Sequence, residues 1–149
     1  MSAARFDSNV WVALTFDKHP FHETARAAFR ECKAKSPAVF CRATEQSFLR
    51  LASTPALHAA YECIGLNNHD VSGFLEGFHE LPHVIFAAEP ATTRNLWLTF
   101  ADRPTASPKV WMDAYLAAFA ISGNLRFVTI DSDFSQYRSA GLELELLHA

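Results

Sequence analysis

Apolar residues recur along the chain in two rhythms. Short runs rich in β-branched and aromatic residues fall at Arg5-Phe6, Ala38-Val39-Phe40-Cys41, Val84-Ile85-Phe86, Phe127-Val128-Thr129-Ile130 and, less clearly, residues 144–147, and these predict strands. The intervals between them carry helical spacing. Over residues 21–35 it sets Ala25, Ala28, Phe29 and Cys32 on one face and Arg26, Arg30 and Lys33 on another, and Ser36-Pro37 ends that helix. Thr44 can cap a helix running through Phe48, Leu49 and Leu51, whereas Pro55 and its surroundings read as loop. Further helices are predicted over residues 71–78, after Glu89-Pro90 through Leu96 and Trp97, and from Ser107-Pro108 to Gly123, with proline at the first helical position. Strands that alternate with helices predict an α/β layered fold, and no repeat or linker divides residues 1–149, which read as a single domain.

Composition narrows what such a fold can do. With 149 residues, half of them hydrophobic, the chain can close one substantial core. No signal-peptide pattern and no membrane-spanning apolar run is evident, so a soluble, cytoplasmic protein with no membrane partner is expected. Cys32, Cys41 and Cys63 are widely spaced and lack metal-site spacing, which makes them reduced core residues. The net charge of −3 argues against a broadly basic nucleic-acid binder, although carboxylates gathered round a cation should be subtracted first. Five glycines and no phosphate-cradling motif argue against nucleotide-cofactor chemistry.

The candidate chemistry lies in isolated acids. Asp113 is the single charge between Lys109 and Arg126, in a helix otherwise built from Trp111, Met112, Tyr115, Leu116, Phe119 and Ile121, and a buried carboxylate needs a partner. Asp7 directly follows the first strand, where open parallel sheets place ligands, although for a lone Asp a cap on the following helix, by Asp7 or Ser8, is the better reading. Asp131 and Asp133 follow the strand ending in Thr129-Ile130; a turn explains one of them more readily than both. Glu45 on its own reads as a first-turn acid favoured by the helix dipole. Brought together, such acids repel by about 4 kcal/mol per pair at about 4 Å and an effective dielectric of about 20, so a cation is the natural compensation. Ligation by oxygen alone selects Mg2+ or Mn2+.

Phe6-Asp7-Ser8-Asn9-Val10, Thr44-Glu45-Gln46-Ser47-Phe48-Leu49-Arg50, Asp113-Ala114-Tyr115-Leu116 and Thr129-Ile130-Asp131-Ser132-Asp133-Phe134, in that order, resemble the motifs of a PIN domain and, within that family, those of VapC-type toxins of bacterial toxin–antitoxin pairs. The resemblance implies a PIN-like three-layer sandwich, with a mainly parallel central sheet of about five strands flanked by helices. It also implies Mg2+- or Mn2+-dependent endoribonuclease activity, an RNA substrate such as tRNA or rRNA, a homodimer and a cognate antitoxin. Asp7, Glu45, Asp113 and Asp131 match the acidic quartet, as catalytic residues and metal ligands, with Asp133 an auxiliary ligand. Asn9 and Thr129 match residues that support the site. The first strand, reduced to residues 3–6, departs from the longer run usual in the family.

An acidic pocket that takes RNA needs a basic rim, and Arg42, Arg50 and Lys109 lie within five residues of the acids, though any one of them taken singly reads better as solvated surface charge. Trp11 or Trp111 could stack on unpaired bases. The seven histidines show no metal-binding spacing and read as surface or core-edge residues. Apolar stretches at residues 57–66 and 74–81 offer surface for a dimer or an antitoxin helix. Two other readings compete. A non-catalytic module of the same fold could bind RNA or protein, and Asp131-Ser132-Asp133 could be a phosphotransferase DxD, although that motif normally opens its domain.

Overall fold

A computed structural model describes residues 2–149. The chain runs β1 (Ala4–Phe6), α1 (Ser8–Thr15), α2 (His22–Arg30), β2 (Ala38–Phe40), α3 (Arg42–Ala52), α4 (Pro55–Ala60), α5 (Asn68–His79), β3 (Val84–Phe86), α6 (Thr93–Ala101), α7 (Val110–Ser122), β4 (Arg126–Thr129), a 3-10 segment (Ser132–Ala140) and β5 (Leu144–Leu146). The five strands form one sheet in the order β3-β2-β1-β4-β5, and every pairing is parallel.

Helices cover both faces of this sheet, as parallel strands require. Ala4 and Phe6 of β1, Phe40 of β2 and Val128 of β4 pack with residues of α1, α2, α3 and α5 on one face. Phe127 of β4 packs with α6, α7 and the 3-10 segment on the other. Trp11 anchors the first layer: it is fully buried, stacks on Phe40 at 3.8 Å and meets Phe6, Phe29 and Phe78. β1 is short yet central, paired with β2 and β4, and its ends are tied by Ala4 N to Pro37 O and Asp7 N to Val128 O.

Several boundaries differ from the sequence expectations. The second helix stops at Arg30 rather than Lys35, because Lys33 and Ser36 close a bridged turn through paired backbone bonds. Thr44 is not the cap of α3. Cys41 holds that position, and the Thr44 hydroxyl, at the third helical residue, accepts the Cys41 N–H. Pro55 opens the short helix α4 instead of a loop, as proline at a first helical position allows. α5 begins three residues before Val71 because Asn67 and Asp70 form a reciprocal capping box. α7 begins at Val110; Ser107 and Pro108 form the turn ahead of it. At its other end, a Cβ on Gly123 would lie 3.3 Å from both Phe119 O and Pro90 Cγ, so close approach requires the glycine, while Asn124 takes the left-handed turn at φ 54°.

Candidate functional site

The chain runs from β1 outward to β2 and β3, then crosses to the other side of β1 for β4 and β5. That reversal places a crevice beyond the carboxyl ends of β1 and β4, the position where open parallel sheets bind ligands. Asp7 leaves β1 there and Asp131 follows β4. Asp113 reaches the same edge from the first turn of α7.

Thr129 joins the first two acids. Its hydroxyl donates to Asp7 Oδ2 at 2.8 Å and accepts from Asp131 N at 3.0 Å and Asn9 Nδ2 at 3.3 Å. One donor and two acceptor positions are thereby all used. Asp7 is buried, and its Oδ1 accepts the Ser8 N–H at 2.8 Å, so it also caps α1. Burial pushes the Asp7 carboxyl above the usual carboxylate range, against the hydrogen bonds from Thr129 and Ser8 and the charge of Arg5.

Carboxylate oxygens of Asp113, Asp131 and Asp133 lie within 4.8 Å of one another. Asp131 Oδ1 accepts the Asp133 N–H at 2.9 Å, which fixes the turn that presents both. Burial raises Asp113 to about 6; Lys109 opposes the shift and the charge of Asp131 adds to it. The donor set fits a hard cation. Oxygens about 2.0–2.1 Å from Mg2+ stand no more than about 4.2 Å apart, so small side-chain rotations close the group. Asn9 Oδ1, buried beside Thr129 without a partner, adds an unused acceptor. Lys109 Nζ meets Asp133 at 2.8 Å and Asp131 at 3.7 Å, so this lysine is the counter-charge of the cluster, and the contact with Asp133 raises its own pKa.

Glu45 falls outside that three-acid group, as does Asp7. It is buried in the first turn of α3, where Arg42 Nη1 meets Oε1 and His79 Nε2 donates to Oε2, each at 2.8 Å. Arg42 pairs with Glu45 while its side chain stays 72% exposed, and it also lies over the Phe86 ring at 5.0 Å. Arg50 is exposed and has no carboxylate partner among the described residues. Trp11 is buried in the core and cannot meet a base, whereas Trp111 is 53% exposed.

Two residues of the site escaped the sequence reading. His79 is one, brought to Glu45 from the end of α5. Arg5 is the other, fully buried on the α7 side of β1, where Nη1 donates to Leu116 O at 2.8 Å, Nη2 to Cys41 Sγ at 2.7 Å, and the guanidinium lies 4.1 Å from the Phe119 ring centroid. A central parallel strand is buried on both faces, so the signal for Arg5 was present in the strand prediction itself.

A parallel five-stranded sheet with helices on both faces and acids at its switch point is the architecture of a PIN domain, and the PIN domain family profile matches residues 5–140. The chain belongs to this family. Over 142 residues it is 41% identical to Ribonuclease VapC41 of Mycobacterium tuberculosis, covering 95% of this chain and 96% of that protein. It is 29% identical to Ribonuclease VapC31 of the same organism over 134 residues, 89% of this chain and 92% of the relative. Among solved structures, VapBC2 from Rickettsia felis, bound to a DNA fragment from their promoter, aligns at a TM-score of 0.66 and 13% identity, over 98% of this chain and 99% of that one. VapBC-1 from nontypeable Haemophilus influenzae aligns at 0.61 and 16%, over 97% of each chain. At such identities the two structures speak for the fold. Among the described residues no helix is long and apolar enough to cross a membrane.

Proposed function

We propose that this chain is a VapC-type endoribonuclease that cleaves RNA at the acidic crevice with Mg2+ or Mn2+, and that it acts as the toxin of a toxin–antitoxin pair. The convergence of Asp113, Asp131 and Asp133 beside the Thr129-tethered Asp7 carries this reading. The name of the 41% identical relative supports it.

Asp7, Asp113 and Asp131 would hold the ion, with Asp133 as auxiliary. A divalent cation there supplies an acidified water for attack on a phosphodiester and offsets charge on the leaving oxygen. The remaining work belongs to the protein. Thr129 and Asn9 orient Asp7, the Asp133 N–H orients Asp131, and Lys109 exchanges its carboxylate contacts for substrate phosphate. Glu45, hydrogen-bonded by Arg42 and His79, would flank the acidic cluster from the α3 side. A structured RNA such as tRNA or rRNA is the proposed target. The exposed Ile64, Phe74 and Leu81 of the α4–α5 region provide apolar surface for a homodimer contact or an antitoxin helix. A monomer at micromolar concentration by light scattering, with or without a co-expressed antitoxin, would remove that assignment.

The decisive experiment maps new RNA ends after total cellular RNA is incubated with purified protein in Mn2+ or Mg2+. Metal-dependent cuts by the parent, lost in Asp7→Asn and Asp113→Asn, are the expected result. A folded sample that neither cuts nor binds Mn2+ would sink the catalytic reading and favour a binding module of the same fold.

A further inference from the structure

Faces of α3, α6 and α7 enclose an open groove of about 750 Å³, which adjoins Glu45 through Arg42. From α3 it receives Arg42, Gln46 and Arg50, and from the opposite side Trp97, Trp111 and Tyr115. The spacing of four residues along α3 places its three polar side chains on one stripe. Three aromatic rings therefore face two guanidinium groups and an amide.

The geometry of the aromatic wall is specific. Trp97 meets Trp111 edge-on at 75° and 6.4 Å, and meets Tyr115 edge-on at 84° and 5.6 Å. The Trp97 Nε1 donates to the Trp111 carbonyl at 2.8 Å, and the Tyr115 hydroxyl donates to Glu89 Oε1 at 2.7 Å. Trp97 and Tyr115 are thus fixed by hydrogen bonds, and Trp97 meets a third ring, Trp111, that is half exposed. A large flat ring half open to solvent beside a fixed neighbour is the kind of surface on which a nucleobase stacks. Opposite it, Arg50 projects a guanidinium with no carboxylate partner among the described residues. The neighbouring Arg42 spans from the groove to Glu45 and so links this wall to the acids.

We propose that this groove is a subsite for unpaired nucleotides, in which a base stacks on Trp111 and the adjoining phosphates meet Arg50 and Arg42. The proposal rests on the ribonuclease reading and adds that the substrate enters as a single-stranded loop or end. A continuous duplex keeps its bases stacked on each other and cannot offer a free face to Trp111. Arg42, which lines the groove and meets Glu45 at 2.8 Å, is the point at which this wall adjoins the acids, whereas Asp113, two residues beyond Trp111, lies on a different face of α7.

The test is fluorescence anisotropy of a labelled single-stranded RNA of about twelve nucleotides, with its duplex as comparison, in EDTA so that binding is read without cleavage. Parent protein should prefer the single strand. Trp111→Ala should weaken that binding by about 5- to 150-fold and Trp111→Phe by much less, since stacking needs only an aromatic face. Arg50→Ala should flatten the dependence of binding on salt by roughly one phosphate contact. The Trp97 bond ends on the Trp111 backbone, so it survives these substitutions. Equal binding of single strand and duplex, no binding of either, or parent-like binding by Trp111→Ala would overturn the proposal. So would a Trp111→Ala variant that turns a dimer into a monomer by light scattering, because the groove would then be an interface between copies. Single-strand binding through Trp111 in a protein that makes no cuts would uphold the subsite while removing the nuclease reading.

Discussion

Thr129 shows how one hydroxyl organises an acidic site, because it bonds Asp7, Asp131 and Asn9 at once. Thr129→Val keeps the shape and removes all three bonds. We expect it to cost about 10- to 100-fold in Mn2+ affinity or cleavage, the usual loss for a residue that orients metal ligands. Parent-like Mn2+ titration by this variant would refute that role. Asp113 makes a second prediction. Its carboxyl, raised from 3.8 to about 6 chiefly by burial, holds a proton more tightly folded than unfolded. Folding stability without metal should therefore fall as pH rises between those values, and Asp113→Asn should reduce that slope. Asp7, raised in the same direction, supplies part of what remains. Mn2+ affinity should climb through the same window as the proton leaves; thermal melts and metal titrations across it read both. These acids were legible in the sequence because a charge inside an apolar stretch stands out. The clamp on Glu45 was not, since the partner, His79, lies 34 positions away and nothing in its own neighbourhood marks it.

At the scale of elements, the strands were legible to within a residue or two, because apolar runs in a buried parallel sheet tolerate little else. Helix starts were less so. At Ser107-Pro108 the local preference for a cap and proline pair competes with the turn that sets Lys109 against Asp133, and the helix begins later. At residues 31–36 the bridged turn wins over the continuing apolar periodicity. Trp11 was read as a ring free to stack on bases and is instead buried in a helix that the sequence reading did not delimit, because α1 is apolar nearly all round and periodicity gives it no outward face. Its burial against Phe40, Phe6, Phe29 and Phe78 makes it the main contact between α1 and its layer. Trp11→Ala should cost about 3–5 kcal/mol, lowering the urea midpoint sharply, whereas Trp11→Phe should cost less. A midpoint unchanged by the alanine variant would show that this aromatic layer does not hold the sheet to its helices.

The whole molecule is built around a strand of three residues. β1 contributes Arg5 to one layer and Ala4 and Phe6 to the other, and it is the one strand that separates the two halves of the sheet. Fold class and the parallel arrangement were legible from the alternation of elements; the packing of a charged Arg into the centre was not drawn from it. β1 also pairs with β4, and the bond from Thr129 to Asp7 spans 122 positions of sequence. A chain emerging from the ribosome carries Asp7 long before Thr129 and Asp131, and it cannot assemble the acidic crevice until β4 and the turn behind it have been synthesised and have docked beside β1. On the proposed reading as a ribonuclease, a nascent chain that lacks β4 has no assembled site with which to cut the RNA around it. Competence would then come only once β4 and the turn that follows it have been made and have docked beside β1.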